Sequence, residues 1–544
     1  MSIAVFCRPP SATRTCLKPL SAFITLLLIA FPCASLPLMG EKPQGQSQTK
    51  QHSEDWQWLD DFVESTRESW QVPGLAVAVV HKDQLVFAKG FGTKKLGIDD
   101  PVDENTLFAI ASNSKAFTAS ALAILVDEDK LTWDSHVADY LPWLQLKDKH
   151  ATLDLRVRDL LCHRSGLGTF SGDLLWWGTN YSPEEVLRRA RTLAPAAPFR
   201  SRYGYSNLMF LAAGEVVGEA SGLQWNEFIE QRIFQPLHMD RSVTSVKDLI
   251  EKGNFATPHK TFSDHSEPIR WTNWDTMAAA GGIISSVKDM SNWLRLQLRN
   301  GKLESSGKQL FSKTQALTMR QAHMPIPVSE GYRARYPSTH FRSYGLGWAL
   351  SDYQGRKIAG HGGGYDGMYS QVVMVPEEEL GIVVLTNSMT SISPAITYQI
   401  LDKVLADTSD DQRSEKLLES FRKGRVAFED RIERAVTPVV SDTQPSHPLE
   451  DFTGHFQCPL YGNAEIASED GVLVLKGLPN PKLVADLEHL HYDTFKLKWR
   501  NKYAWFGTGT IHFVANSRGE FHKLEFNVPN DDLWFYELQF TRVK

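Results

Sequence analysis

"FAIASNSKAFTAS", residues 108–120, sets a lysine one helical turn after a serine, at the mouth of an otherwise apolar run. From Ala116 to Val126 the chain is built of strong helix formers with almost no polar residue, so the spacing predicts a helix buried on all sides. Residues three apart on a helix share a face, which brings the Lys115 amine within reach of the Ser112 hydroxyl. A lysine with a pKa near 10.4 is neutral in under ~0.1% of molecules at pH 7 and makes a poor base. Burial lowers that pKa by as much as ~3 to 5 units, and the apolar helix supplies the burial. On this reading Lys115 deprotonates Ser112; the competing reading is a serine that caps the helix beside a lysine that reaches for water.

Spacing alone does not decide, because Ser-x-x-Lys begins at Ser47, Ser112, Ser285, Ser305 and Ser420. Ser47 lies in a polar leader, Ser305 in a Gly/Ser loop and Ser420 in a charged stretch, while Ser285 precedes a solvated Lys288. Only Ser112 joins a predicted strand, "TLFAIA", to a wholly apolar helix. Two further segments carry candidate chemistry. "RYGYSNLMFLAAGEVVGEASG" places Tyr205-Ser206-Asn207 just before a predicted helix, and "IAGHGGGYDGMYSQVVMV" places His361-Gly362-Gly363 just before a predicted strand.

In this order the segments resemble the serine beta-lactamase-like hydrolases, which group class C beta-lactamases, DD-peptidases, D-aminopeptidases and related esterases. The likeness spans residues 55–400, and "LRVRDLLCHRSGLG", "IFQPLHMDRS", "AAAGGIISSVKDMSNWL" and "YGLGW" also look like family segments. The resemblance implies an α+β fold, an antiparallel sheet flanked by helices with a helical lobe. It implies Ser112 as the acylated nucleophile, Lys115 as its base, Tyr205 as proton relay to the leaving group, and Asn207 as the residue that holds Lys115 and a substrate amide. The backbone N–H groups of Ser112 and Gly364 would form the oxyanion hole, with Gly363 letting the strand approach the substrate closely. Lactamases carry a lysine where this chain has His361, and an imidazole with a pKa near 6.5 is mostly neutral at pH 7. The histidine form resembles the peptidase and esterase branches and implies that His361 joins Ser112 and Lys115 in proton transfer.

The rest of the chain frames this site. At 544 residues it exceeds one ordinary core. A net charge of -6 with no basic stripe argues against nucleic acid as a partner, and no His/Cys spacing suggests a metal or other cofactor. Arg8, Arg14 and Lys18 precede "LSAFITLLLIAF", so residues 1–40 read as a secretory signal, with an uncleaved N-terminal membrane anchor as the alternative. Of five cysteines only Cys162 and Cys458 follow this leader, too few for a disulfide framework. Residues 50–405 are expected to form the hydrolase domain, starting with a helix over 53–70 and a hairpin turning at His81 to Gln84. Residues 406–448, charged and Pro/Ser-rich, read as a linker with a helix over 414–434. Residues 449–544 alternate short aromatic strands with turns such as "SEDG", "NSRG" and "PNDD", the pattern of an antiparallel barrel.

This last segment resembles the lipocalin-like domain fused to certain peptidase members, which builds oligomers or restricts access to the site; a barrel with its own ligand pocket is the rival reading. The expectation is an exported serine hydrolase, periplasmic or extracellular, with a small peptide, amide or ester as substrate and a homo-oligomer as a candidate assembly. A carboxylesterase or weak beta-lactamase is the alternative. From another class, a non-catalytic protein that holds cell-wall fragments is the rival. The loops 170–181 and 322–342 carry Trp176, Trp177, Arg333 and Arg335, whose pattern does not separate substrate contact from packing.

Overall fold

The computed structural model describes residues 56–543, except Ser305, Asp407, Ser409 and Asp411; the leader segment falls outside them. Strand β1 (Gly74–His81) is buried along its whole length, as the run "GLAVAVVH" requires of a strand covered on both faces. Lys82 and Asp83, both at positive φ, turn the chain in two residues into β2 (Gln84–Gly92). The chain then leaves the sheet for a long helical excursion. It returns through β3 (Met324–Pro325), β4 (Arg342–Tyr344), β5 (Ala349–Tyr353), β6 (Arg356–Tyr365), β7 (Met368–Val375) and β8 (Leu380–Thr386). Strand β8 pairs antiparallel with β1, Val77 opposite Val384, and closes the order β2-β1-β8-β7-β6-β5-β4-β3.

Helix α1 (Gln57–Ser69) packs one sheet face with the apolar helix that follows β8, burying Leu59, Val63, Ile382 and Ile396 together. The opposite face carries α2 (Ser114–Asp127), in which every residue from Ser114 to Leu125 is buried. Around α2 stand α3 (Asn207–Ser221) and α4 (Val287–Leu298), whose Trp293 ring stacks on Phe117 at 3.7 Å between centroids. The helix expected from the sequence is therefore the centre of the helical layer.

The charged segment expected as a linker contains α5 (Arg413–Val436), a strap rather than a loose tether. Only Leu417 of this helix is buried, which explains its polar composition, yet both ends are pinned. Trp70 Nε1 donates to Ser414 Oγ at 3.0 Å, and Ser263 donates to the Glu429 carboxylate through both N–H and Oγ. Arg431 pairs with Asp531 of the C-terminal unit at 2.7 Å.

That unit is a closed eight-stranded antiparallel barrel, β9 (Gly454–Cys458), β10 (Gly462–Glu469), β11 (Val472–Gly477), β12 (Val484–His491), β13 (Thr494–Trp499), β14 (Gly509–Ala515), β15 (Phe521–Asn527) and β16 (Phe540–Arg542). Phe452, Phe495, Phe513 and Phe521 are buried and pack ring against ring, filling part of its interior. Cys162 and Cys458 are both buried free thiols. Among the described residues no helix is long and apolar enough to cross a membrane.

The barrel docks on the loop 169–181 of the larger, N-terminal domain. Glu537 accepts hydrogen bonds from Ser171 Oγ at 2.6 Å and Gly172 N–H at 2.8 Å, Asn480 donates to the Trp177 carbonyl at 3.1 Å, and the Trp177 ring packs edge-on against Tyr503 and Phe506. Beneath this contact Asp366 is 1% exposed and accepts from Trp274 Nε1 at 2.9 Å, from Trp177 Nε1 at 3.3 Å, and from Trp505 of the barrel. One carboxylate thus ties three indoles from both units. Replacing it with an apolar residue strands several buried N–H donors, each worth about 1–3 kcal/mol. Asp366→Leu is expected to cost about 2–4 kcal/mol in denaturant unfolding, with Asp366→Asn, which keeps one acceptor oxygen, costing less. Wild-type stability in Asp366→Leu would contradict this account of the junction.

Candidate active site

A short strand, Phe108–Ala109, pairs with Ile284–Ser285 and delivers the chain to the turn Ala111–Asn113, which runs directly into α2. Ala111 sits at φ 48°, a left-handed conformation that costs an alanine about 1 kcal/mol or more and persists only where neighbours enforce it. Here Ser370 Oγ of β7 donates to the Ile110 carbonyl at 2.7 Å, while Asn113 Nδ2 donates to Ser370 Oγ at 2.8 Å and to the same carbonyl at 3.2 Å. The capping reading of Ser112 fails, since no side chain caps the start of α2. The partly exposed Ser112 instead lines a cleft.

Lys115 has 0% exposure, and its Nζ has three neighbours: Ser112 Oγ at 3.0 Å, Asn207 Oδ1 at 2.8 Å and the Ala280 carbonyl at 2.8 Å. The carbonyl can only accept. Asn207 presents its oxygen because its Nδ2 is committed to Asp173 Oδ2 at 2.7 Å, and Asp173 Oδ1 is in turn held by Trp176 Nε1 at 3.0 Å. A neutral amine has two N–H bonds and one lone pair. Two neighbours take the N–H bonds, and the lone pair is left facing Ser112. Burial brings the Lys115 pKa down to about 7, against the opposing pull of the Asp173 charge. Burial likewise pushes Asp173 up to about 7, against its hydrogen bonds from Trp176 and Asn207 and the nearby Lys115, so the two groups titrate as a coupled pair.

Tyr205 OH donates to Ser112 Oγ at 2.8 Å, and burial holds its phenol well above the usual range, so it keeps its proton. The Ser112 hydroxyl can therefore accept from Tyr205 while donating to Lys115. The structure brings Ser112, Lys115, Tyr205 and Asn207 together as the sequence expected.

His361 departs from the proton-transfer expectation. Its Nδ1 lies 2.5 Å from the Gly362 carbonyl, which fixes the proton there, and its Nε2 then accepts from Tyr344 OH at 2.7 Å. Burial and the adjacent Lys115 charge lower its pKa to about 3. The ring is neutral, and neither nitrogen is free to exchange a proton with Ser112. Gly363 is where β6 meets the turn that carries Ser112: a Cβ there would lie 2.3 Å from both the Ile110 carbonyl and Ser370 Oγ. Gly364 lines the cleft, its Cβ position 3.0 Å from Trp505.

The cleft encloses about 460 Å³ and has Ser112 at its floor and Trp176, Trp274 and Tyr369 among its walls. Trp505, Asp532 and Leu533 from the barrel complete it. Sequence reasoning missed Asp173, Tyr344, Ser370 and all three barrel residues. Asp173 and Trp176 at least fall in the loop marked as unresolved between contact and packing, whereas Asp532 belongs to "PNDD", legible only as a turn.

Comparisons with known proteins concern the family and the fold. Residues 59–405 match the Beta-lactamase family, and residues 439–542 match a domain of unknown function, DUF3471. An unguisins hydrolase of Aspergillus campestris (strain IBT 28561) is 28% identical over 428 residues, 74% of this chain and 76% of that one. Penicillin-binding protein 4 of Amycolatopsis lactamdurans is 26% identical over 339 residues, 61% of this chain and 84% of that one. The octameric penicillin-binding protein homologue from Pyrococcus abyssi superposes with a TM-score of 0.58 at 22% identity, over 90% of this chain and 100% of that one.

The close fit at Gly363 makes a specific prediction. Gly363→Ala forces β6 away from the turn that carries Ser112, and a displacement near 1 Å is expected to lower the reactivity of Ser112 toward a fluorophosphonate by about 10²-fold. Gly362→Ala, whose added carbon meets nothing nearer than the Ser370 carbonyl at 4.0 Å, is expected to lose far less. Equal labelling rates in the two variants would contradict the assignment of Gly363 as the contact point.

Proposed function

The chain belongs to the Beta-lactamase family, and from that premise we propose that it is a serine hydrolase that acylates Ser112, with peptide or amide bonds as its main substrates. The observation that carries the proposal is the buried Lys115 amine, held by Asn207 Oδ1 and the Ala280 carbonyl and 3.0 Å from Ser112 Oγ. As Oγ attacks the substrate carbonyl, its proton passes to Nζ and a C–O bond forms. The backbone N–H groups of Ser112 and Gly364 are proposed to receive the oxyanion. When the tetrahedral adduct collapses, the carbon–nitrogen bond breaks, Tyr205 gives its phenolic proton to the departing amine, and the proton held on Lys115 restores the phenol. Water then takes the place of the amine and the same groups run in reverse to release the acid.

Amines leave poorly without a proton, and the hydroxyl of Tyr205 beside Ser112 supports a site equipped to deliver one. Esters need that help less and form the second substrate class. In this reading His361 is a neutral wall that holds Tyr344. Export through the leader and self-association belong to the same proposal, and cell fractionation and light scattering on the purified chain test them.

A fluorophosphonate should label one residue, Ser112, and Ser112→Ala should lose labelling and turnover on a panel of amides and esters while unfolding at the wild-type temperature. Labelling elsewhere, or turnover in that variant, would sink the mechanism. The active base is neutral Lys115, so kcat/KM should rise with pH through about 7 and fall about tenfold per unit below it. Asp173 holds the Lys115 pKa up, so Asp173→Asn should move the rising limb to lower pH. A wild-type limb near pH 10, or a limb that stays in place or moves to higher pH in Asp173→Asn, would contradict the assignment of the limb to Lys115.

A further inference from the structure

Among the described residues the cleft walls contain no lysine or arginine; Lys115 adjoins Ser112, with its amine committed to protein partners. Two carboxylates, Asp173 and Asp532, do line the walls. They differ in one respect. Both oxygens of Asp173 accept hydrogen bonds from Trp176 and Asn207, whereas among the described residues no hydrogen bond or ion pair reaches the Asp532 carboxylate. Its neighbour Asp531 takes Arg431. Arg425, which lines the adjoining pocket with Asp532, donates instead to the Thr261 carbonyl at 2.6 Å.

Asp532 is held in this position by its own turn. Asn530 Oδ1 accepts from the N–H groups of Asp532 and Leu533, at 3.1 and 2.6 Å, which fixes the loop that the barrel extends into the cleft. The side chain is partly buried there, and that burial pushes its acid up to about 6, with repulsion from Asp531 adding to the effect. A partly buried carboxylate without a protein partner is free to take a cation that a ligand brings into the cleft. The cleft it lines also includes Trp505, Tyr369 and Trp274, aromatic rings of the kind that favour an ammonium through their quadrupoles.

We propose that Asp532, carried into the cleft by the barrel, is the specificity-determining residue for substrates that bear an ammonium group, and that the cleft discriminates against anionic acyl donors. The inference rests on the serine-hydrolase reading of Ser112 and adds the charge of the substrate to it. It also assigns the barrel a direct contact with substrate. An ammonium paired with Asp532 between aromatic faces satisfies both ions away from water, and a substrate carboxylate in the same place meets a like charge with no cation in the wall to offset it.

The test uses the full chain and anilides in matched pairs: acyl groups with a terminal amine at increasing distance from the carbonyl, each beside its N-acetyl and N-succinyl counterpart, and one pair with the amine on the leaving group. The wild-type protein should prefer at least one free amine over its acetyl partner by at least ~10-fold in kcat/KM and should turn over the succinyl forms least. Asp532→Asn should collapse the amine-to-acetyl ratio toward one, and Asp532→Lys should reverse the order of amine and succinyl. No preference in the wild type, or a preference that survives Asp532→Asn, would overturn the proposal. Fluorophosphonate labelling of Ser112 in the same preparations separates the two readings, because the probe carries no ammonium. Labelling without a charge preference rejects only the role of Asp532, whereas absent labelling rejects the hydrolase reading as well.

Discussion

A lysine amine with no exposure to water is the constraint around which the hydrolase domain is arranged. Charging that amine in an apolar helix layer is costly, and the cost is what makes its lone pair available near neutral pH. The surroundings act to keep it there. Helix α2 offers no route by which the side chain could reach solvent, and Asn207 and the Ala280 carbonyl hold its two hydrogens. The "YGLGW" turn presses on the same helical turn from outside: Gly347, at φ 76°, would place a Cβ 2.8 Å from the Lys115 carbonyl, so only glycine fits. Function and stability pull in opposite directions at this residue, and the packing of three helices offsets the difference.

The loop 169–181 links this core to the barrel. One side of it supplies Asp173 and Trp176, which orient Asn207 and hence the Lys115 amine. Its other side receives Glu537, Asn480 and the aromatic cluster of the barrel. Barrel and base are thus joined by a short chain of hydrogen bonds through one segment, and the barrel closes the cleft with residues of its own. A segment with no catalytic motif in its sequence contributes to the site by position alone.

What was legible in the sequence follows from locality. Ser112 and Lys115 stand on one helical turn, and the apolar run after them states its own burial, so spacing and environment could be read together. The sheet strands and the barrel were legible for the same reason, as alternating or continuous apolar runs between turns. Asp532 was not, because its proximity to Ser112 is created by a barrel docking hundreds of residues later in the chain. Trp176 and Trp177 show the limit within one loop. Adjacent and alike in sequence, one lines the cleft and orients Asp173 while the other seals the barrel junction. His361 lines the same cleft as Ser112, but its hydrogen bonds run to Tyr344 and the Gly362 carbonyl, partners that no spacing reveals.

The central claim is that Lys115 is neutral in a large fraction of molecules at neutral pH. The most direct measurement is a pH titration of the Lys115 side-chain carbon resonance in selectively labelled protein, assigned with Lys115→Arg. The account predicts a midpoint near 7, far below that of the surface lysines. A midpoint close to 10, shared with the solvated lysines, would contradict it.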